Sequence, residues 1–200
     1  MRSSIPSRRR NGRAALPDII AETDRLILRT IEEGDAAEQY RLLNTPAVMA
    51  RLGGPKELHE IEAKHALSMA QYAQESFCFL MMVEKAGGEL VGHCGLKRVN
   101  NPLAPNLGDH EIGWLVREDR WRRGYAEEAV RAVLGWAFTR IGAPHVVALT
   151  SEANAASWRL MEKLGMERRL DLDFADPAYP PEDNPTIQYS LAAAQWEIAK

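Results

Sequence analysis

The chain is expected to fold as one mixed α/β domain, and three observations predict it. Helical and strand periodicities alternate along the 200 residues in the order β-α-α-β-β-β-α-β-α-β-β. Two neighbouring strands are joined by a short turn containing Gly87 and Gly88, a favoured hairpin connection. A composition 46% hydrophobic and 26% charged, without an internal repeat, supplies one sizeable core.

"RLILRT", Arg25 to Thr30, alternates as a first strand. "EGDAAEQYRLLN" reads as a helix entered through Asp35 as N-cap, with Ala36, Tyr40 and Leu43 on its apolar stripe. A second helix is expected from Leu58 to Glu75, turning Ile61, His65, Leu67, Met69 and Tyr72 inward. "FCFLMMVE" and "ELVGHCGLKRV" form the hairpin around "KAGG". A loop rich in Pro and Asn, Asn100 to Asn106, leads to the strand "HEIGWLVR". The next helix ends near Phe138, ahead of Gly142 and Pro144. "HVVALT" is a strand and "NAASWRLMEKLG" a helix closed by Gly165, after which two late strands flank a Pro-rich loop. Trp114, Trp136, Met161 and Met166 suit core positions.

Composition excludes several classes. No apolar run reaches the ~20 residues that span a bilayer, so the protein is expected to be soluble and cytoplasmic, without a membrane partner. Two cysteines, Cys78 and Cys94, cannot build a disulfide framework and suit a reducing compartment. The five histidines lack paired metal-ligand spacing, and no metal site is expected; His93 and Cys94, adjacent in a strand, point to opposite faces. Cys94 has no evident activating group and reads as a small buried residue. Residues 1–17 carry five arginines and no acid, leaving 20 basic against 28 acidic groups, a formal −8, in the rest. They read as a disordered tail before a domain spanning 18–200. Five arginines without interleaved aromatics argue against nucleic acid as a partner.

The informative stretch is "RWRRGYAEEA", Arg120 to Ala129, between a strand and a helix. The first amides of a helix lack backbone partners, and the positive end of its dipole lies there, so an anion is favoured at that point. Gly124 lets backbone approach an anion closely, and Arg122 and Arg123 add charge. The same pattern also fits an exposed turn in which Glu127 and Glu128 satisfy the dipole and the arginines are solvated. Neither a GK[ST] phosphate loop nor the further glycines of a dinucleotide fingerprint is present.

This stretch resembles the strand-to-helix segment of the GNAT N-acetyltransferase superfamily, whose pattern is Q/R-x-x-G-x-G/A; the match holds from Gly124 to Ala126. Trp121 in place of Gln or Arg resembles the branch typified by RimJ and RimL, while Arg122 stands where that branch commonly has Gly. "ETDRLILR", "VMARLGGP" and "NAASWRLMEKLGM" agree in the same order, so the likeness runs from about Glu22 to Tyr189. The resemblance implies an acyl-CoA N-acyltransferase fold, a mostly antiparallel sheet flanked by helices with splayed central strands. It implies acetyl-CoA as co-substrate and an amine acceptor, and leaves a homodimer open. Backbone amides of Arg122, Arg123, Gly124, Tyr125 and Ala126 would hold the pyrophosphate, and Leu115 and Val116 would pair with the pantetheine as an added strand. Asn154 would reach the cofactor; a plain helix N-cap is its other reading.

Acetyl transfer to an amine requires two protons to be handled. At pH 7 a lysine amine of pKa about 10.4 costs roughly 4.6 kcal/mol to deprotonate, an α-amine near 7.8 roughly 1 kcal/mol. Glu111 matches a glutamate common in the family and is the candidate base, directly or through water, with Asp109 and His110 behind it. The departing thiolate needs one good donor. Many relatives use a tyrosine where this chain has Met161, so Ser157, one turn after Asn154, is the candidate; Tyr125 or a water is the fallback. The alternative function is a non-catalytic acyl-CoA-binding module on the same fold. The acceptor pocket is expected between the first two helices and the loop "DPAYPPEDNP", whose Asp176, Glu182 and Asp183 would suit a cation.

Overall fold

A computed structural model describes residues 16–198. The expected basic tail, residues 1–17, therefore lies outside the described residues apart from Leu16 and Pro17. Strands β1 (Ile19–Glu22), β2 (Leu26–Arg29), β3 (Phe79–Glu84), β4 (Leu90–Arg98), β5 (His110–Val116), β6 (His145–Ser151), β7 (Glu167–Arg168) and β8 (Thr186–Ala192) form one sheet. Its order is β1-β2-β3-β4-β5-β6-β8-β7. Every neighbouring pair is antiparallel except β5 and β6. Helices α1 (Asp35–Leu43), α2 (Pro46–Met49), α3 (Leu58–Glu75), α4 (Tyr125–Trp136), α5 (Ala155–Lys163) and α6 (Ala193–Ile198) cover it.

The two-residue period of β3 sorts the core. Leu80 and Met82 join the large cluster with Val130, Val133 and Leu134 of α4, whereas Met81 joins Leu43, Val48 and Met49 of α1 and α2. The sheet is thus covered on both faces, which is why β4 reads as an almost continuous apolar run. The expected hairpin is present: Gly88, at φ 68, closes the β3–β4 turn by donating to Glu84 O at 2.8 Å. Trp136, Met161 and Met166 are buried, and Trp114 packs partly buried against the same cluster.

Several expectations require correction. Asp35 is not the cap of α1: Gly34 holds that position at φ 95, and the buried Asp35 carboxylate pairs with Arg29 at 2.7 Å and 2.8 Å. Tyr40 is 42% exposed and Leu67 is 71% exposed, because each helix buries a narrower stripe than its apolar residues suggest. β1, α2 and α6 were not expected from the sequence; each is too short to show a period. The third major helix continues past Trp136 as a π-helical turn, Ala137–Ile141, before Gly142 ends it.

Candidate active site

β5 pairs with β4 over its whole length, from Gly92↔Val116 to Arg98↔His110. It meets β6 at Glu111↔Val147 alone. Beyond that bridge the two strands part, and the gap forms part of a cleft of about 1480 Å³ that is also lined by α1, α3, α4 and α5. That exceeds the ~300–1,000 Å³ of a pocket for one small ligand and is room enough for two substrates.

The register decides which backbone groups face the opening. Arg117 N–H donates to Val91 O at 2.9 Å, and in an antiparallel ladder residues two apart point the same way. Residues 111, 113 and 115 therefore turn their backbone toward β4, and Ile112, Trp114 and Val116 turn theirs toward the cleft. A Cβ added at Gly92 would overlap Leu115 O, which confirms the direction. The expectation that Leu115 pairs with a ligand strand is corrected: its polar backbone is committed to β4, and Trp114 holds the equivalent outward position. Val116 turns its backbone to the cleft, but its carbonyl already accepts the Trp121 indole N–H at 2.7 Å.

The loop after β5 is shaped by two left-handed residues, Arg122 at φ 59 and Gly124 at φ 81. Left-handed backbone costs a non-glycine residue about 1–2 kcal/mol, so glycine would suit position 122 better than arginine does. Among the described residues, no N–H from Arg122 to Glu127 donates to a protein acceptor. Arg122 and Arg123 are exposed and have no carboxylate partner among the described residues. Such a run of unpaired amides at the start of a twelve-residue helix favours an anion. The two glutamates of the first turn are occupied elsewhere, Glu127 by Lys163 and Arg131, Glu128 by Thr23 and Arg25.

Glu111 lines the cleft where the strands divide and is 9% exposed. Burial raises its pKa above the ordinary carboxylate value, opposed by Lys97, whose Nζ lies 3.1 Å away across the β4–β5 pair. A carboxylate of this kind titrates closer to neutral pH and suits proton abstraction. Asp109 is tied to His145 at 3.0 Å and His110 stacks on Phe77; neither lines the cleft.

On the facing wall, Asn154 and Ser157 both line the cleft. Asn154 stands at the N-cap of α5, yet its side chain makes no capping bond. Ser157 donates its backbone N–H to Asn154 O at 3.0 Å, and among the described residues its hydroxyl has no partner, not even a carbonyl of its own helix. Met161, one turn on, is core. The fallback donor is removed: Tyr125 bonds through its hydroxyl to Glu84, and that bond, first among the causes, raises its pKa.

The acceptor side also departs from expectation. Asp183 is paired with Arg51 at 2.9 Å and accepts from Ser151 Oγ at 3.2 Å. Asp176 accepts from Asn101 Nδ2 at 2.7 Å, and Glu182 is exposed without lining the cleft. The loop therefore presents satisfied carboxylates rather than free ones. Residues that sequence reasoning missed line this side: Gln39, Lys64, His65 and Gln71 from α1 and α3, and His93 and Lys97 from β4. Only the spacing along α3 (Lys64, Ser68, Gln71, Glu75) could have revealed a shared polar face. Among the described residues, no group of three or more His, Cys, Asp or Glu side chains could hold a metal ion, and no helix is long and apolar enough to cross a membrane.

Comparison with known proteins agrees with this fold. Residues 25–167 match the family described as Acetyltransferase (GNAT) domain. The uncharacterized protein YkkB of Bacillus subtilis (strain 168) is 32% identical over 149 residues, covering 72% of this chain and 83% of that protein. The uncharacterized N-acetyltransferase YoaA of the same organism is 30% identical over 154 residues, covering 74% and 83%. Among solved structures, an acetyltransferase from Agrobacterium tumefaciens str. C58 superposes with a TM-score of 0.69 at 26% identity, covering 92% of this chain and 99% of that one.

Proposed function

The chain belongs to the GNAT acetyltransferase family, and from that premise we propose that it moves an acetyl group from acetyl-CoA to a primary amine, a protein N-terminus or a small-molecule amine, by direct attack in a ternary complex. One observation carries the reading: β5 leaves β6 at Glu111, and the opened edge leads to the unpaired amides of residues 122–127. The pyrophosphate lies on those amides, and the pantetheine arm pairs with the outward backbone of Trp114 and Val116. Arg122 and Arg123 stand free to meet the phosphates, and the Asn154 side chain is available to the pantetheine.

In this arrangement Glu111, directly or through a water, takes a proton from the ammonium acceptor. The neutral amine attacks the thioester carbonyl to form the C–N bond, the tetrahedral intermediate collapses as the C–S bond breaks, and the second nitrogen proton passes, directly or through water, to the departing sulfur. Ser157 donates a hydrogen bond to the departing thiolate, whose ordinary pKa of about 8.5 makes it a moderate leaving group. The Trp121 position and the Asn154-x-x-Ser157 spacing favour the RimJ/RimL-like branch. Two buried free thiols, Cys78 and Cys94, favour a cytoplasmic location.

The test is release of free thiol from acetyl-CoA by the purified protein, offered peptides with free N-termini, polyamines and aminoglycosides. Thiol release dependent on one amine class is expected; saturable acetyl-CoA binding without turnover on any of them would refute the proposal. Glu111→Gln then probes the base. It should lower kcat by about a hundredfold or more and remove the acid limb of the pH–rate profile, leaving acetyl-CoA affinity near wild type. The sign follows from the raised pKa: the base must be ionised, so wild-type kcat rises with pH through it. An unchanged profile would reassign the base.

A further inference from the structure

The segment "ETDRLILR" lines no part of the cleft, yet it meets the loop of residues 122–127 in space. Its reason lies in one cluster. Arg25, in the turn between β1 and β2, donates through Nη1 to Arg123 O at 2.8 Å and through Nε to Glu128 Oε2 at 2.7 Å. Its Nη2 lies 2.6 Å from the same carboxylate, and its guanidinium stacks on the Tyr125 ring at 4.3 Å. Glu128 also accepts the Arg25 N–H at 2.9 Å and the Thr23 hydroxyl at 2.5 Å.

We propose that Arg25 is a positioning residue for the acyl donor, setting the direction of the Arg123–Gly124 peptide so that its N–H faces the pyrophosphate. In a trans peptide the C=O and the N–H point in opposite directions. Arg25 draws the Arg123 carbonyl outward, toward the β1–β2 turn, and thereby turns the Gly124 N–H inward. Without that anchor, Gly124 at φ 81 is free to rotate, since glycine resists neither sense, and a rotated peptide would present a carbonyl to the anion. Arg25 has a second effect on the same loop. Glu128 sits in the first turn of α4, and its charge would oppose a phosphate there; the bidentate guanidinium neutralises it. The Tyr125 ring, anchored through its hydroxyl to Glu84, fixes the plane in which the guanidinium lies.

This role rests on the assignment of residues 122–126 to the pyrophosphate, so the experiment separates the two. KM and kcat are measured with acetyl-CoA and with S-acetylpantetheine, an acetyl donor that ends before the pyrophosphate. Arg25→Ala should raise KM for acetyl-CoA about ten- to a hundredfold, the scale of one charge-assisted hydrogen bond, with kcat within about twofold of wild type. Its kinetics with S-acetylpantetheine should not change. Arg25→Lys keeps a cation beside Glu128, so it guards against loss of folding, yet it lacks the fork that reaches Glu128 and Arg123 O together. It should show the same donor-selective rise in KM. Equal losses with both donors, or an unchanged acetyl-CoA KM in a folded variant, overturn the proposal. Gly124→Asp, which puts a negative side chain into the loop itself, tests the premise. If it weakens acetyl-CoA and the Arg25 variants do not, the positioning role alone fails; if it too leaves acetyl-CoA unaffected, the pyrophosphate assignment fails with it.

Discussion

Ser157 shows how a single hydroxyl can be tested because its surroundings are simple. Ser157 lines the cleft and its Oγ bonds to nothing among the described residues, so replacing it removes no structural hydrogen bond. Alanine is also the better helix former, and α5 should keep its stability. If the hydroxyl stabilises the departing thiolate, Ser157→Ala should lower kcat about ten- to a hundredfold, equivalent to roughly 1.5–3 kcal/mol. The loss should shrink with an acyl donor whose leaving group is more acidic, since that group departs unaided. Full activity in the variant would transfer the role to a water, because Tyr125 is held by Glu84 and Met161 is buried core. That Asn154 and Ser157 share one wall was legible in the sequence because a one-turn spacing is a local property. Lys97, which tempers Glu111, was not, because the two meet only through strand pairing.

At the scale of elements, the β4–β5 pair carries both the core and the opened edge, and two glycines let the strands and their neighbours approach. A Cβ at Gly92 would overlap Leu115 O, and one at Gly95 would overlap Cys78 O and the Phe79 backbone. Gly92→Ala should therefore push β5 outward at the residues that turn their backbone to the cleft. Overpacking costs typically 1–3 kcal/mol, and for a chain of this size about 1 kcal/mol shifts Tm by roughly 2–4 °C. A fall in Tm of about 2–12 °C is expected, with weaker acetyl-CoA binding at temperatures where the variant is folded. An unchanged Tm would show that β5 can shift without cost. Regular alternation and the Gly87-Gly88 turn made the hairpin readable, and the long helices announced themselves by period. The phase of β5 was not readable: whether Leu115 or Trp114 turns its backbone to the cleft depends on which partner strand claims it, and that is set by register with β4. Asp35 misled for a related reason, since a capping residue type was recruited by Arg29 from the neighbouring strand.

At the scale of the whole molecule, the carboxylates around the cleft are held by partners, and the stability of the fold should respond to acid through an imidazole of the cleft wall. Arg51–Asp183, Lys97–Glu111 and Arg98–Glu75 join segments far apart in sequence around one cavity. Carboxylates already neutralised in this way attract a further cation weakly. His93, on β4 within the same cavity, is held at a pKa of about 4, first by burial and then by the nearby His65 and Lys64. An unfolded histidine titrates near 6.5, so between about pH 6.5 and 4 the unfolded chain binds a proton that the native one refuses. Stability gained from the neutral imidazole is complete above 6.5 and is lost as pH falls toward 4, at up to about 1.4 kcal/mol per pH unit. His65, also lowered by burial, adds in the same direction; Glu111, raised by burial, opposes it, because the native state keeps that proton longer than the unfolded chain. Urea midpoints measured from pH 7 to 4.5 should fall steadily in the wild type. His93→Gln keeps a polar side chain beside Phe79 but cannot titrate, so its midpoints should decline with a slope shallower by up to one proton. Parallel slopes in the two proteins would show that the native state accepts the proton on His93, and that acid weakens the fold through its ion pairs instead.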